Sequence, residues 1–362
     1  MARLLSYLNN LFLHLKCFDI IVKCRFKGKI LKILVLVHEK LIPPDKVENE
    51  KVWSEAEWKT EYDVVSALEK LNHKIKILGV SHEVKPIRTE IERFKPNIVF
   101  NLLEEFKGES IFDQNIVSYL EILGVRYTGC NPRGLILGRD KALCKKILKY
   151  HGIPTPDFTV YPKNKKILIP VNTKYPLFVK TINEEASLGI SLESIVKSEK
   201  SLKRRIEFIH SKFNTDALVE DYIPGEEFYV GVVGNSRVQA FPVWQLHITN
   251  KNSNNLNIAT RKVKWDFSYR KKIGVYTGKA RNIDKKLEGE LQKIAKQAYE
   301  VLGLTGYARI DFRVTPDRRP FILEVNPNPD IGYREDLAAS AEAVGMDYTQ
   351  LIAKILNLAK AS

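Results

Sequence analysis

Two stretches near the C-terminal end hold oxygen ligands at strand spacing. "GYARIDFRV" carries Arg309 and Asp311, and "FILEVN" carries Glu324 and Asn326, each pair two residues apart. Alternate residues of a strand share a face, so each pair looks the same way. The turn "TPDRR" joins the two runs. If they form a hairpin in which Val314 meets Phe321, Asp311 falls opposite Glu324. All four polar side chains then crowd one face. Two facing carboxylates repel. Mg²⁺ removes that cost, because it takes oxygen ligands and shares one or two carboxylates with substrate phosphates. A surface hairpin on which Arg309 simply pairs an acid explains the same spacing, and the hairpin alone does not choose.

Two lysines add weight to the metal. Lys180 ends the strand "PLFVK" ahead of "TINEEASLGIS". Ala186, Ser187 and Gly189 are small enough to bring loop amides against a phosphate. Lys141 opens the helix "DKALCKKILKYHG", at the end where the helix dipole disfavours a cation. Contact with phosphate would account for that placement. Taken singly, each lysine reads as a solvated surface residue.

These side chains need a scaffold. From Lys32 the chain alternates strand and helix: "KILVLV", the helix "EWKTEYDVVSALEKLNH" with Tyr62, Val65, Leu68 and Leu71 at helical spacing, then "KIKILGV", "PNIVFNLL" and the helix "IFDQNIVSYLEILG". That alternation predicts a doubly wound parallel sheet up to about residue 130. After Pro154 the texture changes to strands on short turns: "PLFVKT", "DALVEDYI", "EEFYVGVVG" and "RVQAFPVW". These predict antiparallel sheets, with a helix over about 198–212. A polar, basic stretch over about 250–280 is long enough to be a functional loop. The helix "DKKLEGELQKIAKQAYEVLG", the ligand hairpin and two final helices complete the chain. The fold class is α/β (α+β). The domains expected are an extension over 1–30, a Rossmann-like domain over 31–129, and two antiparallel-sheet subdomains over 130–220 and 221–362.

Composition bounds the partners. At 362 residues the chain has room for two or three packed subdomains. Cys17, Cys24, Cys130 and Cys144 form no CxxC pair, which argues against a thiolate site or disulfide framework and for a reducing, cytoplasmic setting. No run approaches the roughly 20 apolar residues of a membrane span. The net charge of +15 favours anionic ligands. Nucleic acid is not expected, because no recognition motif accompanies the charge. Leu4, Leu5, Leu8, Leu11, Phe12, Leu15, Phe18 and Ile21 make one apolar stripe, followed by Lys23, Arg25, Lys27 and Lys29. Contact with a membrane surface is one reading of residues 1–30; a helix docked on the body, a dimer contact and an idle extension are others. A dimer is the assembly expected.

Taken in order, "VRYTGCNP", "RDKALCKKILKYHGIPTP", "YPLFVKTINEEASLGIS", "ALVEDYIPGEEFYVGVVG", "GYARIDFRV" and "FILEVNPNPDIG" resemble the ATP-grasp superfamily, and more narrowly the D-alanine–D-alanine ligases and related carboxylate–amine ligases. The likeness covers about residues 97–335. It implies an ATP-grasp fold with ATP between the central and C-terminal subdomains. It implies that Lys141 and Lys180 contact the phosphates and that the loop of Ser187 and Gly189 closes over them. Glu220 would meet the adenine amine, the backbone at Tyr222 and Ile223 the adenine edge, and Glu227 the ribose. Asp311, Glu324 and Asn326 would bind two Mg²⁺, with Mn²⁺ as a substitute, and Arg309 would face the acyl phosphate and the later oxyanion. The reaction implied joins a small acid to an amine through an acyl phosphate, with the 250–280 loop as a lid.

The chain also departs from that pattern. "GGxSxExxVS" is absent near the first strand, where the chain reads "LVHEKLIPP". "HGxxGED" is replaced by "NLLEEFKGES". The acid for the first amino acid has Glu55, Glu57 and Glu61 as candidates. Ala186 stands where a serine supports the D-alanine site. Asp330 replaces a glycine, and Glu335 falls near a serine that holds the substrate carboxylate. The ATP half is intact and the D-alanine half is not, so a different acceptor is expected. True D-alanine–D-alanine ligation, an ATP-grasp kinase, and a nucleotide-binding protein without turnover are the alternatives.

Overall fold

The structure is a computed structural model and describes residues 30–47, 49–183, 189–248, 274–281 and 283–359. The amphipathic extension, Ser187 and residues 250–273 of the expected lid lie outside the described residues. Among those described, no helix is long and apolar enough to cross a membrane.

The first unit contains β1 (Lys32–His38), α1 (Glu50–Glu55), α2 (Lys59–Lys70), β2 (Lys74–Val80), α3 (Lys85–Phe94), β3 (Ile98–Asn101) and α4 (Asp113–Ile122). β1 pairs in parallel with β2 on one side and β3 on the other. A central parallel strand is covered on both faces, which is why β1 reads as an unbroken apolar run. The stripe read along α2 is offset. Tyr62 and Val65 are half-buried, whereas Glu61, Asp63, Val64, Ala67 and Leu68 are buried. Two carboxylates occupy the inward face, so apolar spacing alone misplaced it.

The second unit follows α5 (Pro132–Arg139) and α6 (Lys141–Tyr150). It holds β4 (Phe158–Tyr161), β5 (Leu177–Thr181), β6 (Ile195–Val196), α7 (Glu199–Phe213) and β7 (Ala217–Asp221), in an antiparallel sheet of order β4-β7-β5-β6. Ser198 caps α7 in a reciprocal capping box with Ser201. Leu202, Ile206 and Ile209 then pack on Val179 and Val219.

The third unit holds β8 (Glu226–Gly234), β9 (Val238–Ala240), β10 (Trp244–Ile248), β11 (Val275–Lys279), α8 (Lys285–Val301), β12 (Tyr307–Val314) and β13 (Pro320–Pro327). Its sheet order is β11-β10-β8-β12-β13, with β9 on β8. The end of the expected lid is thus not loop: Val275–Lys279 is strand, paired with β10. The chain closes with α9 (Asp336–Glu342) and α10 (Tyr348–Leu358). Leu351, Ile352, Ile355 and Leu356 of α10 share one apolar cluster with Leu31, Ile33, Val35, Val64 and Leu68. The C-terminal helix therefore returns to the first sheet, and the first and third units share a core.

Candidate active site

The hairpin β12–β13 places its ligands as expected but by a different register at the turn. Arg309 lies opposite Asn326, and Asp311 opposite Glu324. Val314, however, pairs with Pro320, and Arg313 with Phe321. The register shifts between Asp311 and Phe312, whose partners are Glu324 and Ile322. Leu323 is the extra residue of a bulge, and the bulge restores the alignment.

Asp311 is buried, whereas the Glu324 side chain is 23% exposed and so open to a ligand. Arg309 grips Asp311 with both arms of its fork, Nε to Oδ1 at 2.7 Å and Nη2 to Oδ2 at 2.9 Å. Its guanidinium also lies 5.2 Å from the Tyr229 ring centroid. Burial works against the charge of Arg309, but the Asp311 carboxylate outweighs it and pushes the pKa further up. Asn326 Nδ2 is buried without a hydrogen-bond partner. An orphaned buried amide is costly. Its two ends exchange by a flip, so the side chain can offer oxygen instead. Two carboxylates and an amide beside phosphate oxygens form a donor set that Mg²⁺ takes. The residues fit the cation.

Lys180 ties this face to the central sheet. Its Nζ is 3.0 Å from Glu220 Oε1 on β7 and 3.4 Å from Glu324 Oε1 on β13. A second lysine, absent from the sequence reading, completes the cluster. Lys145 Nζ is 3.1 Å from Glu220 Oε2 and donates to Thr155 Oγ1 at 2.8 Å. Burial would raise the Glu220 pKa, but Lys145 and Lys180 hold it below the usual range. Burial also works against Lys180, yet Glu220 and Glu324 push its pKa up. Lys145 is pushed down by burial, which Glu220 offsets only in part. Its signal was available, since it lies four residues after Lys141 on the same helix face. Lys141 is itself buried in the first turn of α6. Burial pushes the neighbouring Cys144 thiol up to about 12, and both Lys141 and Glu324 act on that thiol.

Glu227 shares the sheet face of Asp311, because β8 pairs with β12 so that Tyr229 meets Asp311 and Glu227 meets Arg313. Tyr229 donates to Glu227 Oε1 at 2.9 Å, and Arg313 Nη1 lies 3.6 Å from Oε2. Arg313, also missed from sequence, lies 5.6 Å from the ring centroid of Tyr222. The Tyr222 N–H donates to the Pro176 carbonyl at 3.3 Å. Ile223 follows in the link between β7 and β8. Gly189 has φ +77°, and a Cβ there would come within 2.9 Å of the Phe213 ring, so only glycine fits without strain. Its carbonyl accepts from Arg205 of α7, which anchors the backbone at Gly189. Of the three candidates for the acid at the first amino acid, Glu55 and Glu57 are exposed and Glu61 is buried.

A family model described as "D-ala D-ala ligase C-terminus" matches residues 147–357, more than half of the chain. The chain belongs to the D-alanine–D-alanine ligase family. The D-alanine–D-alanine ligase of Aquifex aeolicus is 31% identical over 83% of this chain and 94% of its own length. An uncharacterized Sinorhizobium fredii protein, y4sG, is 29% identical over 82% of this chain and 86% of its own length. The crystal structure of the Bacillus anthracis D-alanine–D-alanine ligase complexed with ATP superposes with a TM-score of 0.67 at 22% identity, covering 91% of this chain and 97% of that one. The fold is the ATP-grasp fold of these ligases. Like its family, this chain is an ATP-dependent carboxylate–amine ligase that works on small molecules with ATP and Mg²⁺.

Proposed function

We propose that the chain forms an amide between a small acid and an amine other than D-alanine, through an acyl phosphate. Lys180 carries the reading. One buried ammonium spans the acid expected at the adenine and the acid expected at the metal, the place where a triphosphate must lie. Lys141 and Lys180 neutralise the phosphates, Glu220 takes the adenine amine, and Glu227 takes the ribose hydroxyls. The Tyr222 N–H is already used, so that residue would contribute its carbonyl, with Ile223 beside it. Ser187 and Gly189 belong to the loop that closes over the phosphates. Asp311, Glu324 and Asn326 would hold the cations, two when ATP is bound. Bound there, Mg²⁺ supplies charge neutralisation for the phosphates.

The substrate carboxylate attacks the γ-phosphorus, the bond to the β-phosphate oxygen breaks, and ADP leaves. The amine then attacks the acyl carbonyl, the carbon–oxygen bond to phosphate breaks, and the departing phosphate takes up the amine proton. Arg309, held in plane by Asp311, faces the negative charge that grows on the carbonyl oxygen. Phosphoryl transfer demands positioning and charge more than covalent help, which suits this residue set.

The test is ADP and phosphate release over a panel of acids and amines. Release that needs both an acid and an amine supports ligation; ADP with a stable phosphorylated product supports a kinase, and ATP binding without turnover a binding protein. D-alanine dipeptide formation would establish the family's namesake activity against our reading. Glu324→Ala is expected to abolish turnover with the fold intact, and Lys180→Ala to weaken ATP binding at least tenfold. An active Glu324→Ala enzyme refutes the metal role, and unchanged nucleotide affinity in Lys180→Ala refutes the phosphate role.

A further inference from the structure

The inward face of α2 carries groups that the ligation chemistry does not use. Asp63 is engaged: Oδ1 accepts from Trp53 Nε1 at 2.7 Å, Oδ2 accepts from the Tyr333 N–H at 2.8 Å, and Lys59 Nζ is 3.7 Å away. It pins the segment that follows the metal strand. Glu61 is different. It is 5% exposed, and its Oε2 has no hydrogen-bond partner. The Tyr348 hydroxyl is also buried and unpartnered, within electrostatic reach of Asp63, Asp330 and Glu61.

Two further acids near it are open to solvent. Asp330 is exposed, and its Oδ1 accepts from Thr60 Oγ1 at 2.7 Å and from the Gly332 N–H at 2.8 Å. The Glu335 side chain is 45% exposed and lies 3.2 Å from Lys59 Nζ, which also donates to the Tyr333 carbonyl at 2.8 Å. Trp53, Tyr333 and Tyr348 form a row of rings with centroids 6.2 and 5.6 Å apart. Asp330 follows Asn326 by four residues, no more than about 14 Å of chain.

Glu61, Asp63, Asp330 and Glu335 gather here, and Lys59 lies beside two of them, Asp63 and Glu335. When Glu61 is ionised, the four acids outnumber Lys59 and the nearby Arg334, which lies 5.2 Å from the Tyr333 ring centroid and 3.5 Å from Glu50, in a protein whose net charge is +15. A substrate carboxylate would be repelled here. Among the described residues no three acidic, histidine or cysteine groups converge on a metal-sized point. The acids form a wall beside aromatic faces, and that combination suits organic ammonium groups.

We propose that this cluster of acids and rings is the acceptor subsite and takes a dicationic amine, one ammonium at Glu61 and Tyr348, the other at Asp330 and Glu335. The assignment rests on the ligase reading above. Burial, chiefly, raises the Glu61 pKa to about 7, with Asp330 and Asp63 adding to it. An arriving ammonium therefore finds a carboxyl ready to ionise.

The experiment is calorimetric titration of the full chain saturated with ADP and Mg²⁺, using 1,4-diaminobutane, butylamine and D-alanine as probes. Diaminobutane is expected to bind at least tenfold more tightly than butylamine, with no heat from D-alanine. Glu61→Gln and Asp330→Asn should each weaken diaminobutane at least tenfold and leave ADP affinity unchanged. Asp330 is exposed, so its variant tests the idea independently of the change in stability at Glu61. Absence of diaminobutane binding, equal affinity in Asp330→Asn, or preference for D-alanine overturns the proposal. The ADP titration separates the two readings: failure to bind ADP with Mg²⁺ removes the ligase reading and this one together, whereas ADP binding without diamine binding removes this one alone.

Discussion

Glu61 should make this protein lose stability as pH rises, opposite to the usual carboxylate. Its pKa stands at about 7 in the folded chain against an ordinary 4.5, first because burial penalises the charge. The folded state thus binds the Glu61 proton more tightly than the unfolded chain does. Stability is full below about pH 4.5 and falls as pH climbs to about 7. The gap is worth about 3 kcal/mol, at 1.36 kcal/mol per tenfold change in proton affinity. Glu61→Gln keeps the shape of the protonated side chain at every pH. Wild type and variant should therefore match near pH 4.5, and the variant should be more stable by about 3 kcal/mol at pH 8. Urea unfolding at the two pH values measures this, provided the slope with denaturant is unchanged. A stability difference that stays the same at both pH values, within about 0.5 kcal/mol, would refute the reasoning.

Further substitutions probe the rest of the site. Lys145→Met removes one of two cations from Glu220; because Lys180 remains, the cost should be about 2–3 kcal/mol, below the 3–5 kcal/mol of a fully broken buried pair. The same variant should raise the ATP dissociation constant about tenfold as Glu220 turns to Lys180, and unchanged ATP affinity by titration would show that Lys145 does not position the site. Gly189→Ala places a side chain at φ +77° against Phe213; a loss of about 1–2 kcal/mol is expected in urea unfolding, with a higher KM for ATP. Arg313→Met leaves Glu227 with Tyr229 alone, and its KM for ATP should rise while the KM for the acid substrate does not.

The parts that were legible in the sequence share one property: a local pattern that one physical rule reads. The parallel strands β1 and β2 announced themselves as apolar runs, and the antiparallel sheets by their turns. Asp311, Glu324 and Asn326 were legible because alternation along two strands and one turn sufficed to place them. The bulge at Leu323 was not, since nothing in "FILEVN" distinguishes a strand with an extra residue from one without. Arg313 escaped because its importance lies in what it meets on the neighbouring strand, Glu227, and Lys145 because its spacing from Lys141 does not reveal Glu220 on β7. Glu61 and Asp63 misled directly. A helix is expected to bury its apolar stripe, and here two carboxylates took that place, Asp63 held by Trp53 and Tyr333 and Glu61 with one oxygen unpartnered.

The strand that carries Glu324 and Asn326 is also the last strand of its sheet. Its outer backbone would ordinarily invite another chain to pair with it, the first step towards aggregation. Here the Ile322 N–H is spent on the Pro154 carbonyl, and the Ile322 carbonyl on Thr155 Oγ1 at 2.9 Å. Helix α5 comes so close that a Cβ on Gly138 would meet Pro327 at 2.5 Å. Pro320 and Pro327 remove donors at both ends of the strand, and the bulge breaks its repeat. The devices that orient the ligands therefore also keep the molecule from templating its own precipitation. Substitutions at Pro154 or Gly138 should show first as lost solubility rather than as lost chemistry.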